Sequence, residues 1–212
     1  QLRKKWGRLK RKKMVSEKKY RITELVWEYH KNAERQQFVQ LLMSGEIDEK
    51  LYATYLFNQL ACYSKLEQYC LESSLFIDTR NLPRAPHIYY DYKHLWQDVD
   101  KPPELTESTK AYVEHLETIR GENEKLYAHV YVRHLGDLSG GQMIKRKTPG
   151  PNRYYVFKHN EAKEYKRIVK ERVESYLNLY EINVLPEAIF CFESATNLFK
   201  EMYDLGPTNK VE

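Results

Sequence analysis

At 212 residues, 42% hydrophobic and 13% aromatic, the chain has enough apolar material for a real core, as one domain or two small ones. Its three cysteines (Cys62, Cys70, Cys191) include no C-x-x-C pair, which argues against a disulfide scaffold or zinc ribbon and favours a reducing compartment. The net charge of +5 is uneven, because residues 3–13 hold eight Lys and Arg and no acid, leaving 27 basic against 30 acidic residues elsewhere, a body of −3.

That block reads as a solvated tail ahead of a nucleic-acid arm, and Met14-Val15-Ser16 as a plausible start, dividing the chain into a basic tail, 1–13, and one domain, 14–212. No run of 18 apolar residues exists, so no membrane span is expected. Beyond Ser16 the periodicity is helical. Ile22, Leu25, Val26, Tyr29 and Ala33 follow a three–four spacing, continued by Phe38, Leu41 and Leu42 up to a stop at Gly45. Asp48 is suited to cap a second helix bearing Leu51, Tyr55, Leu56, Leu60, Tyr63 and Leu66. Pro83, Pro86, Pro102 and Pro103 break 73–103 into irregular structure, with a short helix near 87–96. Thr106 caps a third helix that Gly121 ends, and residues 122–147 make the next. A loop over 148–153 and an extended stretch at 154–157 follow. Asn160 then caps a helix to Leu179, and a last helix has Pro186 in its first turn and Gly206-Pro207 at its end. The sum is a single all-α domain of six or seven helices.

Residues 127–147, YAHVYVRHLGDLSGGQMIKRK, carry the chemistry. Gly136, Gly140 and Gly141 fall within six residues, although each glycine inside a helix costs about 1 kcal/mol relative to alanine. Gly136 and Gly140 share a face, which suits either a flat ligand resting on the backbone or close helix–helix packing. Asp137 sits inside the cluster, and Arg133, four residues earlier, is expected to pair with it. The pair fits a water-orienting carboxylate or a plain structural salt bridge.

Arg133 and Leu135 to Gln142 supply nine of the ten letters of R-Y-L-G-D-L-S-G-G-Q, with His134 in place of the tyrosine. This run resembles the signature of the haem oxygenase family. His30 to Glu34, followed by Phe38, resembles the segment that supplies the proximal haem ligand. Residues 60–67 and 165–172 match two further helices, so the likeness covers nearly all of 20–204.

The resemblance implies haem held between the first helix and a kinked distal helix. It makes His30 the iron ligand, the glycines the close distal backbone, and Asp137 the anchor of a water network that delivers protons, with Arg133 and Tyr63 as members. Taken by itself, Tyr63 is equally a core tyrosine with a satisfied hydroxyl. Lys166, Lys170 and Tyr131 match propionate-binding positions, and Glu34 and Phe192 belong to the pocket. Lys170 stands where arginine is frequent, and Thr23 and Trp27 where mammalian-like members carry lysines. His129 matches a non-ligand position, and His87, His94, His115 and His159 receive no role. The implied reaction cleaves haem b at a meso carbon, using O2 and external electrons, to give biliverdin, carbon monoxide and ferrous iron. Reduced ferredoxin or a flavoprotein reductase would supply the electrons, with Lys145, Arg146 and Lys147 either a docking patch or solvated surface. A bilin reductase downstream, a monomeric state and a cytoplasmic or plastid location complete the expectation. The rival is a haem-buffering protein on the same fold.

Overall fold

The computed structural model describes residues 21–206, so the basic block, Met14 and Pro207 lie outside the described residues. Among these, ten α-helical segments follow in order and no strand occurs. They are α1 (Ile22–Leu25), α2 (Trp27–Glu34), α3 (Gln37–Ser44), α4 (Glu49–Glu72), α5 (Ala85–Leu95), α6 (Glu107–Thr118), α7 (Asn123–Ser139), α8 (Gly141–Ile144), α9 (His159–Leu179) and α10 (Glu181–Leu205). A 3-10 turn, Arg153–Tyr155, stands between α8 and α9.

The stripe from Ile22 to Leu42 is not one helix but three. Val26 (φ −105°, ψ 9°) and Gln36 (ψ 142°) leave the helical conformation. These turns let α1 pack on α9 while α2 and α3 follow the surface of α10. The caps fall where expected. Gly45 closes α3 at φ +84°, where a side chain would be strained. Asp48 accepts the Leu51 N–H at 3.0 Å, and Thr106 accepts the Thr109 N–H at 3.2 Å.

Four boundaries differ from the sequence reading. The helix expected over 122–147 divides at Gly140 into α7 and α8 and stops at Ile144. Tyr154 and Tyr155 belong to a 3-10 turn where an extended stretch was expected, and Lys158 rather than Asn160 flanks the start of α9. Pro186 lies inside α10, which begins at Glu181. The missing N–H then falls next to an exposed corner, where Ile182 is 85% accessible and water can replace the lost bond.

α4, α7 and α10 form the centre, and tyrosine is prominent in the core, with Tyr52, Tyr63, Tyr112, Tyr127 and Tyr154 among its largest fully buried side chains. A buried hydroxyl needs a partner. Tyr52 donates to Asn152 Oδ1 at 3.0 Å, Tyr63 to Asp137, and Tyr112 pairs with His129 at 2.9 Å. The core is therefore threaded by polar links, and one of them reaches the glycine cluster. No described helix is long and apolar enough to cross a membrane.

Candidate functional site

His30 projects from α2 at the edge of the core, with its side chain 43% exposed. Trp27 stacks on its ring at 5.9 Å between centroids, and Phe192 of α10 meets it edge-on at 5.8 Å. The two nitrogens are in different states. Nε2 lies 3.6 Å from Glu34 Oε1, too far for a hydrogen bond, and Nδ1 is buried with no partner. An imidazole with one nitrogen beside a carboxylate and the other unsatisfied has the division of labour that a metal-ligating histidine requires.

The glycines divide by role. A Cβ on Gly136 would meet nothing within 4 Å, and one on Gly140 only a carbonyl at 3.7 Å. A Cβ on Gly141 would lie 2.4 Å from the Tyr155 ring. Two glycines thus leave open space on one helix face, and the third exists for packing. Gly141→Ala should lose about 1–3 kcal/mol in urea unfolding, because the whole Tyr155 ring must shift. Gly136→Ala should gain up to about 1 kcal/mol from helix propensity, and weaken haem binding by filling the open face.

Asp137 is buried beside these glycines. Its Oδ2 accepts from the Tyr63 hydroxyl at 2.8 Å, and Tyr154 bonds the same carboxylate. Tyr154 arrives on the 3-10 turn, which Asp91 of α5 clamps by accepting the Arg153 and Tyr154 N–H groups at 3.0 and 2.8 Å. Asn152, left-handed at φ 51°, bends the chain into that turn. Gln142 Nε2 ties the backbone carbonyls of Asp137 and Tyr155 together at 3.1 and 2.9 Å. Burial pushes the Asp137 carboxyl up to about 6, against the opposing pull of His134, Tyr63, Tyr154 and Arg84. A carboxyl that titrates near neutrality inside a hydroxyl network can both hold and release a proton.

The expected Arg133–Asp137 pair does not form. Arg133 Nη1 donates to Gln59 Oε1 at 3.0 Å, and the guanidinium lies 4.1 Å over the Tyr112 ring and 5.5 Å over Tyr63. The i,i+4 spacing offers contact, but rings and an amide from α4 and α6 hold the arginine instead. Arg133 therefore supports Tyr63 rather than the carboxylate. Tyr131 is buried and bonds Thr23, tying α7 to α1. Lys166 is half-buried and Lys170 exposed on α9, and neither joins an ion pair among the described residues.

Sequence reasoning missed Tyr154 and gave His134 no role. Tyr154 is 17 residues beyond Asp137 in what read as an extended stretch, and only its fold-back reveals it. His134 bonds Glu67 Oε1 at 2.9 Å in full burial, while Glu67 also accepts the Arg84 and Ala85 N–H groups at 2.5 and 2.9 Å. The departure from the usual tyrosine at 134 was the available signal, and it places a basic ring beside the carboxylate.

Fold and site define an all-helical domain with a half-exposed histidine on one helix and a buried carboxylate in a glycine-bearing helix. The comparisons with known proteins identify it further. The family profile described as "Heme oxygenase" matches residues 20–201, and the chain belongs to that family. It is 28% identical to "Heme oxygenase" of Porphyra purpurea, covering 89% of this chain and 88% of that one. It is also 28% identical to "Heme oxygenase 2" of Mus musculus over 84% of this chain, but spans only 63% of that relative's length. The crystal structure of heme oxygenase-2 from Synechocystis sp. PCC 6803 in complex with heme and NO superposes with a TM-score of 0.77, at 23% identity over 87% of this chain and 84% of that one.

Proposed function

We propose that this protein is a haem oxygenase that turns over, cleaving haem b at a meso carbon to biliverdin, carbon monoxide and ferrous iron. The observation that carries this reading is the Asp137 carboxyl, buried, poised near 6 and held by two tyrosines beside two glycines with open space. A protein that only stored haem would gain nothing from keeping such a group buried, so this feature also separates the reading from haem buffering.

The residues fit the ring. His30 has an unsatisfied nitrogen for iron, Gly136 and Gly140 leave room for a flat ligand, and Lys166 and Lys170 are uncommitted cations for its two carboxylates. Bound haem would supply both the redox-active iron and the ring that is cleaved. Glu34 would orient His30, and Phe192 and Trp27 would wall the ring off on that side. Asp137 would hold a proton for delivery, Tyr63 and Tyr154 would fix its rotamer, and Arg133 would keep Tyr63 in place. Tyr131, with Thr23, would line the edge near α9. For the finer assignments we favour reduced ferredoxin as donor, docking near Lys145, Arg146 and Lys147, a bilin reductase as downstream partner, and a monomer in the cytoplasm or a plastid.

The test is reconstitution with haem followed by turnover with reduced ferredoxin, its reductase and NADPH. Bilin absorbance should grow as the Soret band decays, with carbon monoxide released in step. A Soret band that persists without bilin would leave the buffering reading standing.

A further inference from the structure

The sequence assigned no role to His115, yet it lies in the most concentrated group of metal-ligating side chains outside the haem pocket. His115 of α6, His129 of α7 and Glu187 of α10 bring three ligand atoms within 4.8 Å of one another. His115 Nε2 is 2.7 Å and His129 Nε2 2.9 Å from the same atom, Glu187 Oε2. The chain positions are 72 and 58 residues from Glu187, so no spacing motif announces the group. We propose that His115, His129 and Glu187 form a binding site for a first-row divalent metal ion, of which zinc is the best match.

Ligand type and count fit first. Two imidazoles and one carboxylate are a set that zinc takes, with a fourth position left for water. Tetrahedral ligation at 2.0–2.1 Å needs donor atoms about 3.3 Å apart, so side-chain shifts of about 1 Å convert the hydrogen-bonded cluster into a coordinating one. The carboxylate is in place, with Glu187 Oε2 already facing both imidazole nitrogens.

The outer partners fit as well. His129 Nδ1 is 2.9 Å from the Tyr112 hydroxyl. A tyrosine hydroxyl both donates and accepts, so its oxygen can accept a hydrogen bond from Nδ1–H when Nε2 turns its lone pair to a metal. The displaced hydroxyl hydrogen then has Cys191 Sγ, 3.8 Å away, as a weak acceptor. Access is provided at one side only. His129 is wholly buried, while the His115 side chain is 26% exposed and its ring is covered by Phe190 at 4.0 Å. A metal would enter past His115 and tie α6, α7 and α10 together, stabilising the fold in proportion to its binding.

The test uses the full-length, haem-free chain after chelator treatment, titrated with Zn2+ by calorimetry and with Co2+ by visible absorption. One ion should bind per chain, Co2+ should give the d–d bands of a four- or five-coordinate site, and Zn2+ should raise the unfolding temperature. His30→Ala, which removes the haem-side histidine, should leave all three unchanged. His115→Ala and Glu187→Gln should each abolish them, while Tyr112→Phe should weaken Zn2+ by about 10–100-fold. Haem titration of the His115, Glu187 and Tyr112 variants, and urea unfolding of His30→Ala, report that each is folded. Glu187→Gln keeps an acceptor for both imidazoles, so its loss of metal cannot be assigned to a broken core. Absence of saturable binding in the wild type, or equal binding by folded His115→Ala, would overturn the site.

Discussion

Asp137→Asn should abolish bilin formation while making the haem-free protein more stable at neutral pH. The amide still accepts from Tyr63, so the network keeps its shape and haem continues to bind. What disappears is a group that can carry a proton, and general acid–base contributions of this kind are worth about 10²–10⁴ in rate. The stability effect has a definite sign. A free aspartate titrates near 3.8, and Asp137 in the fold near 6. Between those values the folded chain holds a proton that the unfolded chain has released, so the folded form is favoured on the acid side and loses that advantage as pH rises through 6. Above that point the buried charge costs on the order of 3 kcal/mol, which the asparagine variant escapes. Urea unfolding at pH 7.5 should therefore show the variant ahead by roughly that amount, with the gap closing below pH 4. Equal stability at both pH values would remove the perturbed carboxyl, and a wild-type bilin yield would remove its role.

His30→Ala should have the largest effect on haem itself. Glu34 and Phe192 remain, but the iron loses its nitrogen donor. The affinity should fall by more than the roughly 10–100-fold that follows loss of an outer partner, and added imidazole should restore the Soret band by occupying the vacated volume. The fold should hardly respond. His30 is 43% exposed and its side chain makes only ring contacts and a 3.6 Å approach to Glu34, so unfolding should shift by about 1 kcal/mol or less. Undiminished haem affinity in a stable His30→Ala protein would move the ligand assignment elsewhere.

These two residues also show how far the sequence could be read. His30, Asp137 and the glycines stood in recognisable strings, and local chemistry at Gly45, Asp48 and Thr106 set helix ends correctly, because a cap depends on three or four neighbouring residues. What depended on distant neighbours was not legible. Arg133 had a partner at helical spacing and took Gln59 and Tyr112 instead. Tyr154 reaches Asp137 only because Asp91, more than sixty residues earlier, holds the backbone of its turn. His115 found Glu187 across the interface between α6 and α10. The three glycines looked alike as letters, and only the Tyr155 ring separates the one that packs from the two that leave space. Pro186 misplaced the start of α10 because a proline within a helix is tolerated where the freed carbonyl lies near solvent.

The break at Val26 and the turn at Gln36 divide the haem-side segment into pieces of four, eight and eight residues, none with a side-chain cap bond. α7, seventeen residues long, is instead gripped by α4, α9 and α10 and by the clamp on the 3-10 turn. Short helices open locally at little free-energy cost, and long, deeply packed ones open only when the whole domain does. On the reading proposed above, ring entry and product exit would fall to the short helices that carry His30, while the helix that carries Asp137 would stay fixed. Traffic and aim would then be divided between two sides of the site.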